Sequence, residues 1–326
     1  MDCFKIVSWN TAKRLKRIDN QIKYIQALGA DVVALQEIIP STEKVFKHSL
    51  KSFYPYQISS FELAEDVSIL TKKRLFGELL LSKYPLSPKD PRLVSVPWPE
   101  RILSAKVDLG RISILVHTTH IPPGSSNGWI KVEMISGIVD HLIKNKQRLP
   151  QLLCGDFNTP KFESKEVGVV TFGQKIDSSG HPRINCNGAE WDASERSLFE
   201  ELCKHGILET FRQVHPNDYS SYSWKFIRKG KIFKRRFDHM FASDTLKAVQ
   251  CKYPVPPPEL SDHLPIFAEF VRISLDFGKN LVFLCLRASL WISEHRRECA
   301  ECTLFSVESN DRVANCSPIF RKKSSL

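Results

Sequence analysis

Asp156 and Asn158 flank Phe157 directly after the apolar run Leu152-Leu153-Cys154 and a single Gly155. Side chains two apart on an extended chain point to one face, so this acid and this amide can aim at one point beyond a strand end. There a carboxylate can orient or deprotonate water while an amide donates to a ligand oxygen, which suits metal-assisted attack on a phosphate. Alone, the segment would as readily form a turn. Its weight comes from other strand ends that carry the same kind of residue. Asn10 follows the run Phe4–Trp9, and Glu37 follows Asp31–Gln36. His120 follows Ile112–Thr118, where it reads as a loop histidine with a satisfied hydrogen bond or as a donor to phosphate oxygen. Asp238 sits in the strand Phe237–Phe241, and Asp262-His263 opens a final strand ending near Phe270. A buried Asp238 would orient an imidazole and keep it protonated near neutral pH.

The elements that must position these groups follow from spacing. Asp19 caps a helix with Ile22, Ile25 and Leu28 on one face and Gly29 as its stop. Strand, helix, strand in so few residues is a right-handed crossover, so Asn10 and Glu37 emerge from parallel neighbours at one sheet edge. Ile102–Val107 and Ile112–Thr118 form a hairpin-like pair. Trp129–Lys146 is an amphipathic helix with Ile135, Ile138, Val139, Leu142 and Ile143 in its stripe. Residues 162–190, rich in Gly, Ser and Asn, read as a long surface excursion. Asp192 and Glu195 have capping-box spacing for a helix closed by Gly206.

A second hairpin turns at Lys229-Gly230 and carries Lys225, Arg228, Lys229, Lys231, Lys234, Arg235 and Arg236, with no acid among residues 225–236. Trp224, Phe226 and Phe233 are interleaved, as on a nucleic-acid surface. Lysines guarding a sheet edge against aggregation are the competing reading. The 326-residue chain is basic, with 47 Lys+Arg against 36 Asp+Glu and a net charge of +11. That balance suits nucleic acid first and an acidic lipid surface second. Nine scattered cysteines do not form a disulfide framework, and the N-terminal segment enters a strand at once. These features predict an intracellular, cytoplasmic or nuclear protein with no transmembrane segment. The tail 273–326 is expected to be irregular; Cys299 and Cys302 with His295 and Cys316 lack the second spaced pair of a zinc site.

Ser8-Trp9-Asn10, Leu35-Gln36-Glu37, Leu81-Ser82-Lys83-Tyr84-Pro85, His120 before its prolines, Gly155-Asp156-Phe157-Asn158, Arg236-Phe237-Asp238-His239 and Ser261-Asp262-His263-Leu264-Pro265 occur in that order. Over residues 1–272 the set resembles the endonuclease/exonuclease/phosphatase superfamily. The resemblance implies a DNase I-like α/β fold: a four-layer sandwich of two packed, mixed β-sheets flanked by helices. It implies Glu37 as principal ligand to Mg²⁺ or Mn²⁺, Asn10 beside it, and Asp262 as a possible second metal contact. Asp156 corresponds to the residue that aligns or deprotonates water, Asn158 to a phosphate contact, and Asp238 with His263 to the pair gripping a phosphoryl oxygen. His120 falls where some members have Tyr and others His. The expected activity is hydrolysis of phosphodiester bonds, in DNA or RNA first, by a monomer whose basic hairpin and Trp224 bind substrate. Hydrolysis of a small or lipid-linked phosphoester is the alternative, and a non-catalytic binding module ranks last.

Overall fold

A computed structural model of the chain describes residues 3–64, 70–71, 74–145 and 149–272. The expectations for the tail 273–326, including its cysteines, lie outside the described residues. Numbered in chain order, one six-stranded sheet runs β17 (Leu246–Lys252), β18 (Ile266–Arg272), β1 (Cys3–Asn10), β2 (Val32–Ile38), β4 (Gly77–Ser82), β3 (Tyr56–Ser59). The other runs β13 (Ile207–Glu209), β16 (Asp238–Ser243), β8 (Gln151–Asp156), β7 (Ser113–His120), β6 (Ile102–Asp108), β5 (Leu86–Pro88). The helices are α1 (Ile18–Leu28), α2 (Pro40–Leu50), α3 (Gly124–Asn127), α4 (Ile130–Asn145), α5 (Ala189–Ser197), α6 (Glu201–Lys204) and α7 (Thr210–Val214).

Strand alternation divides the apolar residues into three layers. Ile6, Val32, Ala34 and Leu80 of one sheet meet Ala105, Val116, Leu152, Cys154 and Met240 of the other. Their neighbours point outward. Val7, Val33 and Leu35 pack on Ile22 and Ile25 of α1 and Phe46 of α2, while Leu153 and Phe241 pack on Ile135 and Ile138 of α4. Each fully buried aliphatic side chain contributes about 1.5–3 kcal/mol. The resulting α/β/β/α sandwich is the architecture expected from the motifs.

Each large sheet contains one parallel pair, and that pair aims the site. β1 and β2 are parallel across α1, and β7 and β8 are parallel across α4. Their C-terminal ends carry Asn10, Glu37, His120 and Asp156. β16 and β18 run antiparallel to β8 and β1, so their N-terminal ends bring Asp238 and His263 to the same rim.

Three local expectations differ from the structure. Asp19 does not cap α1 but lies within its first turn, and the N-cap is Arg17. The 162–190 excursion is built into two hairpins, β9 (Phe162–Ser164) with β10 (Gly168–Val170) and β11 (Gln174–Ile176) with β12 (Pro182–Ile184). Asp192 and Glu195 cap nothing, because α5 starts at Ala189 after Gly188. Asp192 instead accepts from Thr171 Oγ1, and Glu195 is a buried acceptor described below.

Candidate active site

Glu37 is aimed by a defect in β2. Between Leu35 and Ile38 the pairing with β4 shifts register, and Glu37 takes the left-handed φ of 54°. Bulges re-aim side chains in this way. Asn158 is also left-handed, at φ 50°, a conformation that Asn tolerates through local hydrogen bonds. Its N–H donates to Asp156 Oδ1 (2.9 Å), and its amide nitrogen donates to the Ile121 carbonyl (2.9 Å). Gly155 lets β8 approach β7 at this point. It has φ 142°, and a Cβ there would collide with the Thr119 carbonyl oxygen.

The side chains converge on the buried Asp156. The Asn10 amide nitrogen lies 3.0 Å from Asp156 Oδ2 and 3.3 Å from Glu37 Oε1. Nε2 of His120 is 3.8 Å from both of those oxygens, and Nε2 of His263 is 3.8 Å from Asp156 Oδ2. His263 Nδ1 meets Asp238 Oδ2 at 2.8 Å. The loop bearing His263 is pinned by Trp9 Nε1, which donates to its carbonyl (3.0 Å), and by Ser261 Oγ, which donates to the Asn10 carbonyl (2.7 Å).

The two histidines differ in charge. Burial alone would lower the His263 pKa, but the carboxylates of Asp238 and Asp156 outweigh it and raise it to about 10. His263 is therefore an imidazolium. Burial pushes His120 well below the ordinary histidine range, and the Arg101 guanidinium pushes it further. The Arg101 Nη1 donor fills His120 Nδ1 at 2.5 Å, so neutral His120 carries its proton on Nε2 and turns it to the site. Burial, then the neighbouring Asp238 carboxylate, raises the Asp156 carboxyl, with His263 opposing.

Sequence reasoning missed three supports. Arg101 is buried, with its guanidinium over Phe76 (4.8 Å), and the order Trp98-Pro99-Glu100-Arg101 gave no sign of it. Glu78 lies between the sheets at 3.4 Å from Thr118 Oγ1, and burial raises it well above the carboxylate range. Lys131 donates to the Asn158 carbonyl (2.8 Å) and to Glu195 Oε1 (2.5 Å), while Glu195 also accepts from Trp191, Thr159 and the Phe172 N–H. The buried Lys131–Glu195 pair thus holds the backbone of the Asn158 turn.

Other expected residues stand further out. Asp262 is on the rim, 3.7 Å from Arg14 and 3.2 Å from Trp224 Nε1. The basic hairpin forms as β14 (Trp224–Arg228) and β15 (Lys231–Arg235). Lys225, Arg228, Lys229, Lys231 and Lys234 are exposed, and only Trp224 and Arg235 of this set line the chamber of about 890 Å³ above Asp156. Arg236 leaves the set. It is buried and paired with Glu163 (2.9 Å) and Glu209 (2.6 Å), because it faces the strand side opposite Arg235.

This site is built on a chain whose residues 7–263 match the profile of the Endonuclease/Exonuclease/phosphatase family. The chain belongs to that family. It is accordingly a phosphoric ester hydrolase of the nuclease/phosphatase type, from a metal-dependent family. An exodeoxyribonuclease of Bacillus subtilis (strain 168) is 23% identical over 74% of this chain and 89% of its own. The solved AP endonuclease of Archaeoglobus fulgidus superposes with a TM-score of 0.58 at 19% identity, covering 82% of this chain and 99% of that one. D. rerio TDP2 complexed with a single-strand DNA product superposes with a TM-score of 0.54 at 16% identity, covering 82% and 99%.

The residues present fit a divalent cation. Glu37 and Asp156 bring oxygens to the same two N–H donors, so two carboxylates crowd one mouth, where a hard cation relieves their repulsion. The cluster of Asp156, Asp238 and His263 is compact, but the proton of His263 already fills the space between its acids. Asn10 presents its nitrogen to the acids because the Ala12 N–H holds its oxygen (2.9 Å). No helix among the described residues is long and apolar enough to cross a membrane.

Proposed function

We propose that the chain hydrolyses phosphodiester bonds of DNA by direct attack of water. The observation that carries this reading is His263, held as an imidazolium by Asp238 and facing Asp156 across 3.8 Å. Asp156 orients the water, with Asn158 beside it as a phosphate contact, and takes its proton as the new P–O bond forms. The bond to the leaving oxygen breaks, and that oxygen departs as an alkoxide that takes a proton from solvent. His263 and the Nε2–H of His120 donate to the non-bridging oxygens, where charge develops. Mg²⁺ or Mn²⁺ held by Glu37 beside Asp156 would neutralise that charge and polarise the phosphate. The reading of DNA as substrate is supported by the basic hairpin and by the relatives' names, exodeoxyribonuclease and AP endonuclease. The reading takes the active form to be a monomer, since one chain supplies every group this mechanism uses. The free thiols of Cys3, Cys186 and Cys203 suit an intracellular, reducing setting.

The test is an activity panel in Mg²⁺, with and without chelator. It sets single-stranded, duplex and abasic DNA and RNA beside inositol phosphates and sphingomyelin. Asp156→Ala and His263→Ala should each lose at least about 10²- to 10⁴-fold. Wild-type rates in either variant refute the mechanism, and turnover of small phosphoesters alone refutes the substrate.

A further inference from the structure

Trp129 stands 47% exposed at the edge of the active-site chamber. It is reached from His120 through Ile121-Pro122-Pro123, α3 and Gly128, so a catalytic strand end and this ring share one short loop. The loop is fixed. Gly124 packs so tightly on Trp191 that a Cβ would collide with the indole. Trp191 donates its Nε1–H to Glu195 (2.8 Å), and Trp129 sits on Trp191 edge-to-face, with centroids 5.6 Å apart at 62°. An ion pair, an indole and a second indole thus form a stack that backs Trp129 and leaves it half exposed to solvent.

The same chamber is lined by a cation of unusual type. Arg235 lies over the rings of Phe172 (4.9 Å), Phe226 (4.9 Å) and Phe237 (5.5 Å), with no ion pair to a carboxylate among the described residues. Its buried neighbour Arg236 is neutralised by Glu163 and Glu209. An exposed ring and a guanidinium without a carboxylate partner among the described residues, both lining one chamber, match the two parts of a nucleotide, a base and a phosphate.

We propose that this chamber is a subsite for an unpaired nucleotide next to the cleaved bond. Its base stacks on Trp129, and its own phosphate meets Arg235. The inference rests on the DNA reading above and adds strand state to it. A base inside a duplex is stacked on both sides, so it must leave its helix to cover Trp129. A nucleotide that is already unpaired avoids that cost, so the subsite favours single-stranded DNA over duplex.

The experiment uses the full chain and a single-stranded oligonucleotide in Mg²⁺, with a tetrahydrofuran spacer replacing one nucleotide at each position in turn. In the wild type, a spacer beside the cleaved bond should lower kcat/KM about tenfold, the modest end of base–aromatic stacking. Trp129→Ala should shrink that ratio to about twofold or less, and Trp129→Phe should restore most of it. The subsite is overturned if the spacer has no effect or speeds cleavage, or if Trp129→Ala keeps the wild-type ratio. Cleavage of bis(4-nitrophenyl) phosphate without cleavage of any oligonucleotide would overturn the DNA reading itself, and the subsite with it.

Discussion

Arg101 donates to Nδ1 of His120 across 2.5 Å, and this bond decides which nitrogen of His120 faces Glu37 and Asp156. Arg101→Met should lower kcat about 10- to 100-fold, the usual cost of removing a group that orients a ligand-contacting histidine. It should also raise the His120 pKa toward the usual histidine range of about pH 5–8, with burial, the larger cause of its depression, remaining. In the wild type the His120 ring resonances should stay unmoved across that range. A wild-type His120 that titrates near 6.5 would contradict the assigned tautomer.

The proton on His263 sets an alkaline limit. With its pKa raised to about 10, catalysis that needs the imidazolium should persist until pH approaches 10. Asp238→Asn removes the partner at 2.8 Å, so the alkaline limb of the kcat/KM profile should move toward neutrality and the maximum should drop. The same shift appears in folding. The raised pKa means that the folded state binds this proton more tightly. The stabilisation is complete below the ordinary value of 6.5 and is lost as pH rises through about 10. Urea titrations from pH 6 to about 10 should show this decline in the wild type and less of it in His263→Gln.

The Lys131–Glu195 pair is almost fully buried. Glu195→Gln strands the ammonium and should cost about 3–5 kcal/mol, whereas Lys131→Met with Glu195→Leu should recover part of that loss. Because Lys131 also carries the Asn158 carbonyl, the double variant should fold yet turn over slowly. A double variant with wild-type kcat would show that the pair supports the fold alone.

Gly155→Ala tests how closely the two parallel strands must approach. The added methyl meets the Thr119 carbonyl at a φ of 142°. Overpacking of this kind costs about 1–3 kcal/mol, and a displacement of Asp156 by about 1 Å can cost about 10²-fold in rate. Loss of activity larger than loss of stability is the expected signature, read from kcat beside a melting curve.

Much of the site was legible because its groups sit at the ends of apolar runs, where a strand must stop and a side chain must leave the core. Asn10, Glu37, Asp156, Asp238 and His263 were each visible in this way. What stayed hidden depends on contacts between distant segments. Arg101 lies beside His120 only because β6 and β7 pair. Glu195 has the spacing of a helix cap and is instead the buried acceptor of four donors' segments, a role set by the 162–190 hairpins folding back on α5. Arg236 looked like one more cation of a basic run. Strand alternation turned it inward, toward two glutamates far away in sequence.

The reacting groups are divided between two sheets that are registered across the slab by side chains, Asn10 to Asp156 and Gln36 to Thr118. Each sheet can keep its own backbone ladder while the slab between them loosens. Turnover should then vanish under pressure or mild denaturant while circular dichroism still reports intact strands, so that loss of rate becomes the earliest sign of swelling.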